Sequence, residues 1–173
     1  QMTPLNYYAI SKSSFDSFVL QKLKDNPSAQ IYGLRYFNVY GTNEDHKKDM
    51  ASPAHKFLKQ ARESGTIKVF EGSENYYRDF IHVEDVVKIT MAATMLDEPG
   101  IYNAGTGTAE SFMQVAKTVA DLTGASIVEI PFPKILKSKY QEYTCSDNSK
   151  IKEAGYPNER ISIQKGIEQV AQK

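Results

Sequence analysis

Tyr8 and Lys12, four residues apart in Tyr7-Tyr8-Ala9-Ile10-Ser11-Lys12, are the first residues of the chain whose types and spacing could do chemistry. On a helix that spacing puts both side chains on one face. There the ammonium stabilises the phenolate that a tyrosine must become to act as a general base. The spacing selects Tyr8, not Tyr7, as the partner of Lys12. A bare pair of this kind is a hypothesis that the rest of the chain must support.

The elements that would position the pair are legible along the chain. Thr3-Pro4 is a helix start, with Pro at the first helical position. Phe15, Phe18, Val19 and Leu23 continue the Tyr8 and Lys12 face at helical period, and Asp25-Asn26-Pro27 ends the helix. Residues 30–39 are β-rich and mostly apolar on both faces, which predicts a strand covered on both sides. A turn at Tyr40 to Asn43 and a polar loop from Glu44 to Asp49 lead into a helix over 52–62 with Pro53 in its first turn. Strands are predicted at 67–70, 79–83, 100–104 and 127–130. Helices are predicted from Glu84-Asp85 to Met95, from a Ser111 cap to Gly124, and around Ile163, Ile167 and Val170. The buried face of the Ser111-capped helix would be Phe112, Val115, Ala116, Val119 and Leu122.

Helices alternating with strands make the class α/β with a substantially parallel sheet. No glycine-rich phosphate loop follows a first strand, and no downstream acid is placed to hold a ribose. The chain, which does not begin with Met, therefore reads as a fragment without the cofactor-binding half of a dinucleotide fold. Its 173 residues are 40% apolar, enough for a real core. Lys+Arg and Asp+Glu both number 21, which argues against a nucleic-acid partner. The single cysteine, Cys145, excludes an internal disulfide and fits a reducing, cytoplasmic setting. No apolar run is long enough to span a membrane, and no metal-ligand spacing stands out.

Four features occur in order: Tyr8-x-x-x-Lys12, Leu34-Arg35-Tyr36-Phe37-Asn38-Val39-Tyr40-Gly41, Arg78-Asp79-Phe80-Ile81-His82-Val83-Glu84-Asp85-Val86, and Tyr102-Asn103-Ala104-Gly105-Thr106-Gly107. The series resembles the C-terminal portion of extended short-chain dehydrogenases/reductases that act on nucleotide sugars. Three narrower stretches resemble the ADP-heptose 6-epimerase branch of that family. They are Phe70-Glu71-Gly72-Ser73-Glu74-Asn75, the loop His46-Lys47-Lys48-Asp49-Met50-Ala51-Ser52, and Pro131-Phe132-Pro133 with Lys139-Tyr140-Gln141.

The resemblance implies the C-terminal part of an extended Rossmann-type fold, doubly wound, with a small substrate-binding α/β lobe. Residues 1–45 would end the dinucleotide-binding domain. Residues 46–173 would be mostly the substrate lobe, with excursions back to the Rossmann core. Tyr8 falls on the family's catalytic tyrosine, and Lys12 on the lysine that holds the nicotinamide ribose. Lys47 falls on the second acid/base residue, which also lies at the cofactor, and Val39 on a cofactor contact. Asn38, Asp49, Lys56, Phe70, Glu71, Gly72, Ser73, Arg78 and Tyr140 fall on substrate-binding positions. Lys48 and Asp49 depart from the family's usual small residue and serine. A substrate-binding histidine falls on Lys56, with His55 beside it, and both stand as candidates.

The implied reaction is NADP-dependent inversion of C6 in ADP-heptose. The carbon is oxidised to a ketone and reduced again on its other face, which calls for one acid/base group per face: Tyr8 and Lys47. Arg78 suits the diphosphate, because guanidinium forks match phosphate oxygens. Phe70 would pack on the base, and Glu71 would accept from an exocyclic amine, favouring adenine over uracil. Gly72 would permit close backbone approach. Taken singly these residues have plainer readings: Lys47 in a solvated loop, Asn38 at a strand end, Arg78-Asp79 as a surface ion pair, Tyr140 in a core or interface. Phe112 and His82 are assigned structural roles. A UDP-hexose 4-epimerase, a nucleotide-sugar dehydratase and a non-catalytic piece are the alternatives. The expected partners are ADP-heptose and further copies of the chain, and the 173 residues alone are expected to bind NADP feebly and to be inactive.

Overall fold

The long helix α1 (Tyr7–Asp25) ends where Asn26-Pro27 forbids another turn, and the Asn26 N–H closes it on the Lys22 carbonyl at 3.0 Å. The structure, a computed structural model, describes residues 7–133, 140–156 and 159–172. The expected helix start at Thr3-Pro4, and Lys139, lie outside the described residues. The face that continues from Tyr8 and Lys12 on α1 is largely open: Tyr8 is 71% exposed, Phe15 62% and Phe18 57%, and only Val19 is buried. A salt bridge from Asp16 Oδ2 to Arg35 Nε, 2.7 Å, fastens the helix to the strand that follows.

The expected strand over residues 30–39 is two strands, β1 (Tyr32–Tyr36) and β2 (Asn38–Tyr40). β1 pairs in parallel with β5 (Gly100–Ala104), Tyr32 opposite Gly100 and Tyr36 opposite Ala104. After the break at Phe37, β2 pairs in parallel with β4 (Tyr77–His82), Val39 opposite Ile81. Most β1 residues are only half-buried, so the expectation of cover on both faces fails here. β4 carries a further antiparallel partner, β6 (Ala109–Ser111), and β3 (Thr66–Phe70) pairs in parallel with β7 (Ser126–Ile130). The pairing is thus mostly parallel, as the α/β alternation requires.

Two helices with complete local signals pack these sheets. In α2 (Pro53–Ser64) Ser52 accepts from the His55 N–H, Pro53 opens the first turn, and Gly65 closes the helix at φ 64°. In α4 (Phe112–Thr123) Ser111 accepts from the Gln114 N–H and Gly124 closes at φ 72°. Between them, with α6 (Ile163–Ala171), lies a core containing Phe57, Leu58, Ile67, Val69, Phe80, Val115, Val119 and Ile167. Burying one such aliphatic side chain stabilises the fold by about 1.5–3 kcal/mol. Val115, Ala116 and Val119 are buried as expected, whereas Leu122, at the last turn, is 42% exposed. A second core joins Ile81, Ile89, Tyr102 and Ile151 through α3 (Val83–Ala92) and the short α5 (Ser149–Glu153). The expected helix to Met95 ends earlier, in a 3-10 turn over Ala93–Met95.

Candidate active site

Tyr8 and Lys12 share one face of α1, with the Lys12 ammonium 5.3 Å from the centre of the Tyr8 ring. Both side chains are open, so a phenol and an ammonium are together available to a bound molecule. The next candidates follow β2. Asn38 is exposed opposite Phe80, and Val39 packs against the second core.

The Tyr40-Gly41-Thr42-Asn43 turn, where Asn43 has φ 62°, leads to a 3-10 segment over Asp45–Met50. This segment carries Lys47, whose side chain is 41% exposed and whose Nζ is 3.3 Å from Glu44 Oε2. Lys48 adopts φ 48°, a left-handed backbone that is uncommon for lysine. Asp49 is exposed and meets Lys56 through its carbonyl, which accepts from the Lys56 ammonium. His55 and Lys56 diverge. The His55 Nε2 is 3.3 Å from Asp45 Oδ1, while Lys56 lines the cavity described next.

That cavity, of about 350 Å³, lies between α2, the β3–β7 sheet and the loop after β7. Four of the anticipated residues, Lys56, Phe70, Ser73 and Tyr140, line it together. Its aromatic wall is continuous. Phe132 stands 5.3 Å from Phe70, 5.2 Å from Tyr76 and 5.5 Å from Tyr140, ring centre to ring centre. Ser73 is 3% exposed, and its hydroxyl has no hydrogen-bond partner among the described residues. An unpaired hydroxyl in an aromatic cavity suits a flat ligand that carries a polar edge.

Glu71 behaves otherwise. It is exposed, is not among the lining residues, and donates its N–H to the Ile130 carbonyl at 2.9 Å. Gly72 is required by its backbone, φ 78°. A Cβ there would meet nothing within the chain closer than 3.9 Å. Arg78, on β4, donates to the Tyr77 and Gln141 carbonyls, each at 2.7 Å. Its guanidinium lies 5.0 Å from the Tyr140 ring and 5.6 Å from Phe112. Burial pushes Arg78 below its ordinary value while Tyr140 opposes; burial likewise pushes the Tyr140 phenol up while Arg78 opposes.

The Arg78-Asp79 ion pair does not form. Asp79 is fully buried and accepts from Thr106 N and Oγ1, Gly107 N, and Ser146 N and Oγ, all at 2.5–3.0 Å. It moors the Gly105-Thr106-Gly107 loop and the segment at Ser146. Gly105 is needed there, since a Cβ would sit 2.3 Å from Ser146 Oγ. Sequence reasoning missed Asp79, Tyr76 and Phe132 as site-building residues. Phe132 had a signal, an aromatic fixed between two prolines at a strand end. His82 is structural as assigned, its Nδ1 accepting from the Glu84 N–H at the head of α3. Tyr8, Lys12 and Lys47 are not among the residues that line the aromatic cavity. Among the described residues no cluster suits a metal ion, and no helix is long and apolar enough to cross a membrane.

A mostly parallel α/β frame with a Tyr–x–x–x–Lys helix at its edge and an aromatic, arginine-flanked cavity defines a class of protein. The model of the NAD dependent epimerase/dehydratase family matches residues 1–105, and the chain belongs to that family. It is similar to the ADP-L-glycero-D-manno-heptose-6-epimerase of Brachyspira hyodysenteriae, 44% identical over 172 residues, 98% of this chain and 54% of that protein. The enzyme of that name from Alkalilimnicola ehrlichii is 46% identical over 173 residues, covering 95% and 53%. The chain thus spans about half the length of the curated relatives it matches. Among solved structures, the Helicobacter pylori ADP-L-glycero-D-manno-heptose-6-epimerase superposes with a TM-score of 0.82 at 29% identity, covering 97% of this chain and 51% of that one. The UDP-glucose 4-epimerase of Thermotoga maritima superposes with 0.81 at 26%, covering 95% and 52%.

Proposed function

We propose that the complete protein is an NADP-dependent epimerase that inverts C6 of the heptose in ADP-D-glycero-D-manno-heptose, giving the L-glycero epimer. The observation that carries this reading is the convergence of Lys56, Phe70, Ser73 and Tyr140 on one aromatic cavity with Arg78 stacked at its wall. The heptose-specific relatives add support, since they match nearly the whole chain. Residues 1–45 then end a dinucleotide-binding domain and 46–173 form mostly the substrate lobe. The pairing of β5 with β1 and of β4 with β2 supports the excursions back to the first segment.

NADP, when bound, supplies the hydride acceptor and donor. Lys12 and Val39 lie where its nicotinamide end is expected, and Lys12 holds the ribose beside Tyr8. Tyr8 takes the hydroxyl proton on one face of the sugar and Lys47 serves the other, so that each passage through the ketone has a proton partner. Tyr140 and Phe132 hold the adenine, Ser73 offers its free hydroxyl to the base edge, and Arg78 and Lys56 face the diphosphate. Asn38 and Asp49 contact the sugar, while Glu71 and Gly72 shape the loop that follows Phe70. The enzyme works in the cytoplasm as a homo-oligomer.

In the complete enzyme, Tyr8→Phe and Lys47→Ala should each lower epimerisation by about 10²–10⁴-fold while ADP binding persists. If Lys47→Ala matches the parent, a one-base mechanism replaces this one. If UDP competes as well as ADP, the substrate is a UDP-hexose instead, as for the Thermotoga maritima structure's namesake.

A further inference from the structure

Glu44 has no role in the reaction as described so far, yet it is 3% exposed at the head of a polar loop. Its carboxylate closes that loop from both ends. Oε1 accepts from the Gly41 N–H at 3.0 Å and the Ser52 hydroxyl at 2.8 Å. Oε2 accepts from the Ser52 N–H at 2.8 Å and from the Lys47 ammonium at 3.3 Å. The Glu44 carbonyl also accepts from the Lys47 N–H at 2.9 Å. The segment so enclosed contains two non-glycine residues with left-handed backbone, Asn43 and Lys48, on either side of Lys47. Such conformations persist only where their surroundings hold them. A lysine side chain as open as this one otherwise samples many rotamers, and a fixed carboxylate selects among them.

We propose that Glu44 is a positioning residue that holds Lys47 in place for proton transfer. The inference rests on Lys47 being the second acid/base group. Glu44 touches no substrate; it acts by fixing the loop backbone and giving the ammonium one place to return to. Burial pushes the Glu44 carboxyl up, but the hydrogen bonds from Ser52 and Gly41, with Lys47 close by, hold it below the ordinary carboxylate value. It is therefore an anion across the neutral range. The other charged pair on this loop joins Asp45 to His55, and the ion pair of Lys47 is with Glu44.

The test is a double-mutant cycle in the complete enzyme, with Glu44→Gln, Lys47→Ala and both together, reading kcat for heptose epimerisation and Kd for ADP. Gln keeps the size but puts an NH2 group where one pair of donors now finds an acceptor. Glu44→Gln should lower kcat by about 10²-fold, the scale of a catalytic group displaced by about 1 Å, and leave ADP affinity unchanged. In the Lys47→Ala background the same change should cost nothing further, because the two residues act as one unit. If the losses multiply, Glu44 is a loop staple and the proposal falls while the two-base reading stands. If Lys47→Ala alone is fully active, both fall together. Should Glu44→Gln fail to fold, Glu44→Asp keeps the charge with a shorter reach and must give the same non-additivity with a smaller loss.

Discussion

Changing Asp79 to Asn removes one oxygen's worth of acceptor from a buried site where five donors converge. Oδ1 serves the Thr106 N–H and hydroxyl, and Oδ2 serves the Gly107 N–H and both Ser146 donors. An amide has one oxygen, so its NH2 group must face one set. Facing Oδ2's partners, it leaves the Ser146 N–H without that acceptor, because the Gly107 N–H still reaches Ser146 Oγ at 3.0 Å. Facing Oδ1's, it takes the acceptor from the Thr106 N–H, since the Thr106 hydroxyl can rotate to accept. Either orientation costs one backbone donor its acceptor. An orphaned buried donor costs about 1–3 kcal/mol, and the bonds that remain lose the strength lent by the anion. The expected destabilisation is about 2–4 kcal/mol for Asp79→Asn and larger for Asp79→Ala, which takes the acceptor from the Thr106 and Ser146 N–H groups together. Urea unfolding of parent and variants, with the slope checked for constancy, measures this directly. A loss for Asp79→Asn below about 0.5 kcal/mol, within the range of ordinary surface changes, refutes the assignment of Asp79 as the mooring of the 105–107 loop.

Tyr40 is buried with a hydroxyl that has no partner among the described residues, so Tyr40→Phe should be neutral or stabilise by up to about 1 kcal/mol. Gly166→Ala would place a Cβ 1.9 Å from that hydroxyl and should destabilise by about 1–3 kcal/mol, with part of the loss recovered in the double variant; strict additivity in urea unfolding contradicts the contact. Glu44's carboxyl is held below its ordinary value of 4.5, so its contribution is full above that pH and is lost as pH falls through the lower folded value. The stability gap between parent and Glu44→Gln should therefore shrink below about pH 4.5, and a gap that stays constant into acid rules this out. Phe132→Ala should weaken ADP in the complete enzyme by about 1–3 kcal/mol if a base stacks on that ring, read by calorimetry; unchanged affinity moves the base elsewhere.

What the sequence determined was local. Pro53 in the first turn of one helix, and Ser111 with Gly124 at the ends of the other, marked two helices because a cap is a bond between neighbours in the chain. The period of Val115, Ala116 and Val119 marked the buried face of α4 for the same reason, whereas Phe112 is only partly buried and Leu122, in the last turn, is exposed. The pair Tyr8 and Lys12, and the motifs that assign the family, were also readable without coordinates. Partner choice decided the rest. Residues 30–39 looked like one covered strand, but the chain changes partner at Phe37, from β5 to β4, and no local signal marks that exchange. Asp79 was indistinguishable from a surface acid beside Arg78 until residues 106 and 146 came to it from distant segments. Phe132 and Tyr140 became a wall, and Glu71 was left out of it, only through the pairing of β3 with β7. Hydrogen bonds and ring contacts between residues tens of positions apart carry no periodicity, so only the tertiary structure could assign them.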